Sequence, residues 1–230
     1  MCGRFNVIDN PGLQALLKGL GIDLKLPSAA NVAPTEDIQL LRGSRAQRTL
    51  DSARWWLTPS WAEGVNQKYS MFNARCESLS RSRAFRYPFK SQRGVVPMSG
   101  FVEWRKEASG KQPWLISNED RALAIAALWD IWTRDGRTLL SCTLVTTAAA
   151  PEFEPWHHRM PVMLTSQECE RWLDSSQEIA TEDSLFRNEL KYPLVLTALP
   201  KAVGNARNKD HALMTSEHAS AHVLVKTTEH

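Results

Sequence analysis

The sequence has 230 residues, 43% of them apolar, with a net charge of +3 and an isoelectric point near 8.7. That length fits one domain with a sizeable core, and no run approaches the roughly 18 apolar residues a membrane span needs. The mild basic balance permits nucleic-acid binding without implying it, and the opening MCGRFNVIDNPG lacks a secretory pattern, so a cytoplasmic protein is expected.

The first expected element is a helix over residues 11–20. Asn10 suits the N-cap, Pro11 the first helical position, and Gly19 or Gly21 the end. Short strand-like runs follow at 38–42, 48–57, 94–97, 101–105, 114–117 and 122–129. Residues 131–147 read as a hairpin whose tight turn is Asp135-Gly136. Thr165 and Glu168 form a capping box ahead of a helix over 169–173, and a further helix is expected at 184–190. Strands return at 194–199 and 222–225, and the polar tail beyond Met214 is expected to fray or pack loosely. Strand and crossover helix do not alternate. The pattern therefore predicts an α+β single domain, with a curved or barrel-like, mainly antiparallel sheet flanked by a few helices.

Four cysteines, Cys2, Cys76, Cys142 and Cys169, are far apart and form no CxxC pair, which argues against a zinc ribbon or thioredoxin-like motif. A reducing compartment keeps them as thiols. Cys2 stands out by position. A small second residue suits methionine removal, which would leave an α-amine that ordinarily titrates at about 7.7–8.0 beside a thiol that titrates near 8.5. The two groups can trap one aldehyde in sequence, amine first to an imine and then thiol to a five-membered thiazolidine. Taken alone, Met1-Cys2 reads better as a small packed residue. Asn73-Ala74-Arg75 could be a turn with a solvated arginine. Glu103 closes an apolar run, where burial could raise its pKa enough for acid/base work, though an outward-facing glutamate is commoner. His157 and His158 offer a proton shuttle, yet paired loop histidines are often surface residues and fit no common zinc spacing.

In order along one chain these segments are more specific. Cys2-Gly3-Arg4-Phe5, Asn31-Val32-Ala33-Pro34-Thr35, Arg54 through Trp61, Asn73-Ala74-Arg75, Pro97 through Trp104, Lys111-Gln112-Pro113, His157 through Pro161, and Val203-Gly204-Asn205 with Asn208 together resemble the SRAP (SOS response-associated peptidase) domain family. The likeness covers about residues 2–213, leaving 214–230 as a tail. Departures are Trp56 where the family usually has glycine, Val102 where it usually has an aromatic, and His158 where it usually has aspartate; register with Arg159-Met160-Pro161 favours His157 as the working histidine.

The resemblance implies capture of abasic sites in single-stranded DNA through a covalent bond to Cys2, shielding the lesion during the DNA damage response, with some lyase activity as a side reaction. Glu103 is the expected acid/base, His157 the group on the sugar oxygen, and Asn73 the residue orienting sugar and Cys2. Arg4, Arg75, Arg83 and Arg159 are expected phosphate contacts and Trp55 and Trp104 base-stacking platforms; Trp114, Trp129, Trp132 and Trp172 read as core. No metal, cofactor or membrane is expected, and the chain is expected to be a monomer. Two alternatives stay open: a cysteine peptidase using the Cys2 thiolate, including removal of its own Met1, and a non-covalent single-stranded-DNA binder.

Overall fold

Five strands close on themselves in the computed structural model, which describes residues 2–65, 68–108, 110–214 and 221–225. The circuit runs Arg137–Ala148, Thr49–Trp55, Asp37–Arg42, Arg93–Met98 and Leu123–Arg134, the last pairing back on the first. All these pairings are antiparallel except Arg137–Ala148 with Thr49–Trp55, which is parallel. Residues 123–128 are buried without interruption, because helices and a second sheet cover the barrel's outside.

That second sheet has six strands in the order Ala221–Leu224, Leu194–Ala198, Gly110–Ser117, Gly100–Glu107, Phe5–Val7 and Ala29–Val32. Side chains alternate between its faces. Phe5, Phe101, Ile116 and Leu196 join the core shared with the barrel, whereas Ala30 and Val102 join a smaller cluster with Leu199, Val203 and Met214. The expected α+β class with a barrel-like, mainly antiparallel sheet is what forms.

Local signals worked where the backbone chemistry is specific. Asn10 Oδ1 accepts from Leu13 N at 2.9 Å, Pro11 opens the helix Pro11–Gly19, and Gly21 at φ 78° takes the left-handed exit. The capping box closes on Ser166–Leu173. Asp135 and Gly136 both have positive φ (49° and 73°), as a two-residue hairpin turn requires. The strand expected at 122–129 and the hairpin's first arm are one strand, Leu123–Arg134.

The helix expected at 184–190 does not form; only the 3-10 turn Ser184–Phe186 does. Phe186 O accepts from Thr147 Oγ1 at 2.6 Å and Leu185 O from Lys191 Nζ at 3.3 Å, so these carbonyls are diverted to side chains. The turn also lets Leu185, Phe186 and Leu190 all reach the core. The expected tail strand appears as Ala221–Leu224, a paired edge rather than a frayed end; residues 215–220 and 226–230 lie outside the described residues. Among the described residues, no helix is long and apolar enough to cross a membrane.

Candidate active site

Strand Arg137–Ala148 is the hub. Its second half pairs in parallel with Asn73–Arg75 (Leu144 opposite Asn73) and antiparallel with Arg159–Pro161 (Ala148 opposite Arg159). Two segments distant in sequence therefore become neighbours on one strand. Each is only three residues long, too short for a readable period.

Asn73 is buried and donates from Nδ2 to Cys2 O at 2.8 Å, while its Oδ1 is buried without a hydrogen-bond partner among the described residues. Cys2 is fully buried, with its thiol 3.7 Å from the Arg4 carbonyl that accepts from it. Burial pushes this thiol well above its ordinary pKa, and the charge of Glu103 adds to the effect. The thiol is therefore protonated at neutral pH. The expected free thiols Cys76, Cys142 and Cys169 are buried and unbridged as well.

Glu103 reaches this place on strand Gly100–Glu107. Val102 N donates to Arg4 O at 2.9 Å, binding the segment after Cys2 alongside. Gly100 permits the close strand approach, since a Cβ there would stand 2.7 Å from Ile116 O. Only 3% exposed, Glu103 has its carboxyl raised from 4.5 to about 7 by burial, against the opposing positive charge of the amino terminus. It is thus divided between acid and base near neutrality. The raised folded value has a sign for stability. Folding favours the protonated acid, so this contribution is complete below pH 4.5 and is lost as pH rises through about 7. Glu103→Gln removes that loss, and its stability relative to wild type should rise from pH 5 to pH 8 by about 2.5 kcal/mol. Thermal or urea unfolding across that range checks it; a pH-independent difference would contradict the burial of a titrating carboxyl.

His157 has Nδ1 2.9 Å from Arg159 N, which donates to it, assigning the neutral ring's proton to Nε2. Nδ1 also lies 3.0 Å from Arg159 O, a contact that only the other tautomer would use. Burial, then the positive amino terminus, lower its pKa to about 4, so His157 is a neutral N–H donor at pH 7. His158 stacks on it with ring centroids 4.3 Å apart, and is itself exposed. The charge of Glu103 acts on the Cys2 thiol, which ties these two groups to one locus.

The expected DNA contacts divide. Arg75 and Arg83 are exposed, and Arg83 lies 4.0 Å over the ring of Trp61, itself 51% exposed. Arg4 keeps Nε and Nη1 buried without hydrogen-bond partners among the described residues, and its guanidinium lies 5.8 Å from the Trp104 ring. Trp104 packs with Val102 on the sheet face opposite Glu103. Two expectations need correction. Trp55 is fully buried, donates from Nε1 to Phe72 O at 2.8 Å and packs on Phe5, so it is a core residue rather than a stacking platform. Arg159 is engaged internally, with Nη1 and Nη2 on the Glu77 carboxylate at 2.6 and 3.1 Å and Nη2 on Thr146 O at 2.7 Å. Its fork braces the histidine loop.

Trp114, Trp132 and Trp172 are core as expected, while Trp129 is half-buried under Arg42. Glu77 and Trp61 were missed as site residues, although Trp61 closes the family-like run that begins at Arg54. Asn31, at φ 51°, draws two of the family-like segments together by donating to the carbonyls of Val203, Asn205 and Asn208 at 3.2, 2.9 and 2.9 Å.

The family described as SOS response associated peptidase (SRAP) matches residues 1–206. The abasic site processing protein YoqW of Bacillus subtilis is 35% identical over 182 residues, covering 76% of this chain and 80% of that protein. The abasic site processing protein YedK of Escherichia coli is 27% identical, covering 93% of this chain and 99% of its own. Among solved structures, one from Bordetella bronchiseptica superposes with a TM-score of 0.69 at 22% identity, covering 86% of this chain and 100% of that one; at this identity the likeness concerns fold.

Proposed function

The chain belongs to the SRAP family, and on that premise we propose that it captures abasic sites in single-stranded DNA by a covalent thiazolidine at Cys2. The relatives' names point to abasic-site processing. The observation that carries the finer reading is the placement of Cys2: its carbonyl is held by Asn73, and its thiol feels the charge of Glu103.

Removal of Met1 by hydrolysis frees the Cys2 amine. The amine adds to C1′ of the open-chain sugar, and the carbinolamine loses water to give an imine. The thiol then adds to the imine carbon and its proton passes to nitrogen, closing the ring. Glu103, poised near 7, takes and returns protons during ring opening and dehydration. His157 donates from Nε2 to the sugar oxygen, and Asn73 Oδ1 is the acceptor for a sugar hydroxyl or the Cys2 amine. An imine left unclosed would permit β-elimination, which accounts for lyase activity as a side reaction.

The thiolate-peptidase reading is served less well, since an activated cysteine nucleophile needs a lowered thiol pKa and burial raises this one. A purely non-covalent binder gives no role to the buried carboxyl of Glu103 acting on the Cys2 thiol. Arg75, Arg83 and Trp61, exposed together with the half-buried Arg4, are the proposed contacts to the strand.

The test is mass spectrometry before and after incubation with an abasic single-stranded oligonucleotide. The free protein should lack Met1, and a heat-stable conjugate should have the summed mass less one water. Full conjugation by a chain that retains Met1 would overturn the amine-first route.

A further inference from the structure

Strand Ala221–Leu224 lies beyond the matched residues 1–206, yet it reaches the site. It pairs antiparallel with Leu194–Ala198, with His222 opposite Leu196. The His222 ring is 5.3 Å from Trp114 and 5.5 Å from Trp156, and the two indoles meet edge-on at 6.2 Å. Neither tryptophan is incidental. Trp114 stands directly opposite Glu103 in the strand register, so both side chains rise from the same sheet face. Trp156 immediately precedes His157, and Arg105, two residues along from Glu103, lays its guanidinium 5.1 Å over the Trp156 ring. The indole pair thus spans from Gly110–Ser117, the strand paired with the one that holds the carboxyl, to the loop that holds the histidine, and His222 touches both indoles.

We propose that the C-terminal strand is a positioning element of the catalytic site, with His222 docked on Trp114 and Trp156 to hold Glu103 and His157 in mutual register. This rests on the proton-transfer roles proposed above. His222 touches no reacting atom; it acts through the indoles. Aromatic contacts of this kind are directional, and small misplacements of groups around a reacting centre cost rate more than binding. Removing the ring slackens the loop at Trp156 and admits water to His157.

The test compares wild type with His222→Ala and His222→Phe in the full chain. Three readouts are needed: the crosslinking rate on saturating abasic single-stranded DNA, the affinity for a strand carrying a tetrahydrofuran abasic analogue, and the His157 titration by NMR. His222→Ala should crosslink about tenfold to a hundredfold more slowly, with unchanged analogue affinity. Its His157 should titrate above the wild-type value of about 4, because hydration relieves the burial that lowers it. His222→Phe keeps a ring on the indoles and should restore both rate and titration. Wild-type rate and titration in His222→Ala would overturn the proposal. So would a loss shared by rate, affinity and melting temperature that phenylalanine does not rescue, since that marks general support of the fold. If wild type forms no conjugate at all, the functional reading fails, and the His157 titration in His222→Ala then decides the positioning claim by itself.

Discussion

Cys2→Ala should reduce the heat-stable DNA conjugate to background while leaving reversible binding to single-stranded DNA essentially intact. The amine survives in this variant, so an imine still forms and borohydride should trap it; what is lost is ring closure. Cys2→Ser should behave similarly, because the corresponding oxazolidine is far less durable. Reversible binding is spared because the native side chain is fully buried and offers strand contacts nothing that alanine lacks. The measurement is a denaturing gel of each variant with abasic DNA, with and without borohydride, beside a binding titration on the unreactive analogue. Wild-type yield of heat-stable conjugate without the thiol would refute thiazolidine closure.

Glu103→Gln should slow crosslinking by about 10²–10⁴-fold, the usual contribution of a general acid/base. The amide keeps the shape and removes the titration. Wild type should show a pH dependence centred near 7, following the burial-raised carboxyl, and the variant should lose that limb. His157→Ala should slow the same phase, but His157 contributes no inflection between pH 5 and 8 because its value is about 4. His158→Ala should have the smaller effect, since His158 stacks on His157 from the exposed side. If Glu103 and His157 serve one transition state, the double variant will be less than additive. A crosslinking time course for all four variants checks the set. Wild-type rates in Glu103→Gln would remove the carboxyl from the mechanism, and a large effect at His158 with none at His157 would reverse the histidine assignment.

Much of the architecture was legible because its signals are local. Asn10-Pro11, Thr165 with Glu168, and Asp135-Gly136 each solve a backbone problem within a few residues, and each appears where expected. The helix at 184–190 failed for the opposite reason. Thr147 and Lys191, brought in by the fold, take carbonyls at Phe186 and Leu185.

The sequence by itself determined the family, through ordered motifs, and singled out Cys2, whose thiol would stand beside a free amine once Met1 is removed. It also named Cys2, Asn73, Glu103 and His157 as one candidate set. Only the tertiary structure decided which side chains are free to act. Trp55 and Arg159 look in sequence like DNA contacts, but the first is enclosed by Phe5 and Phe72 and the second is claimed by Glu77 and Thr146. Trp156 and His222 carried no readable signal, since their meeting depends on how the C-terminal strand registers against Leu194–Ala198. The physical reason is common to all four: exposure, pairing and pKa are properties of what surrounds a group, and most of those surroundings come from distant parts of the chain.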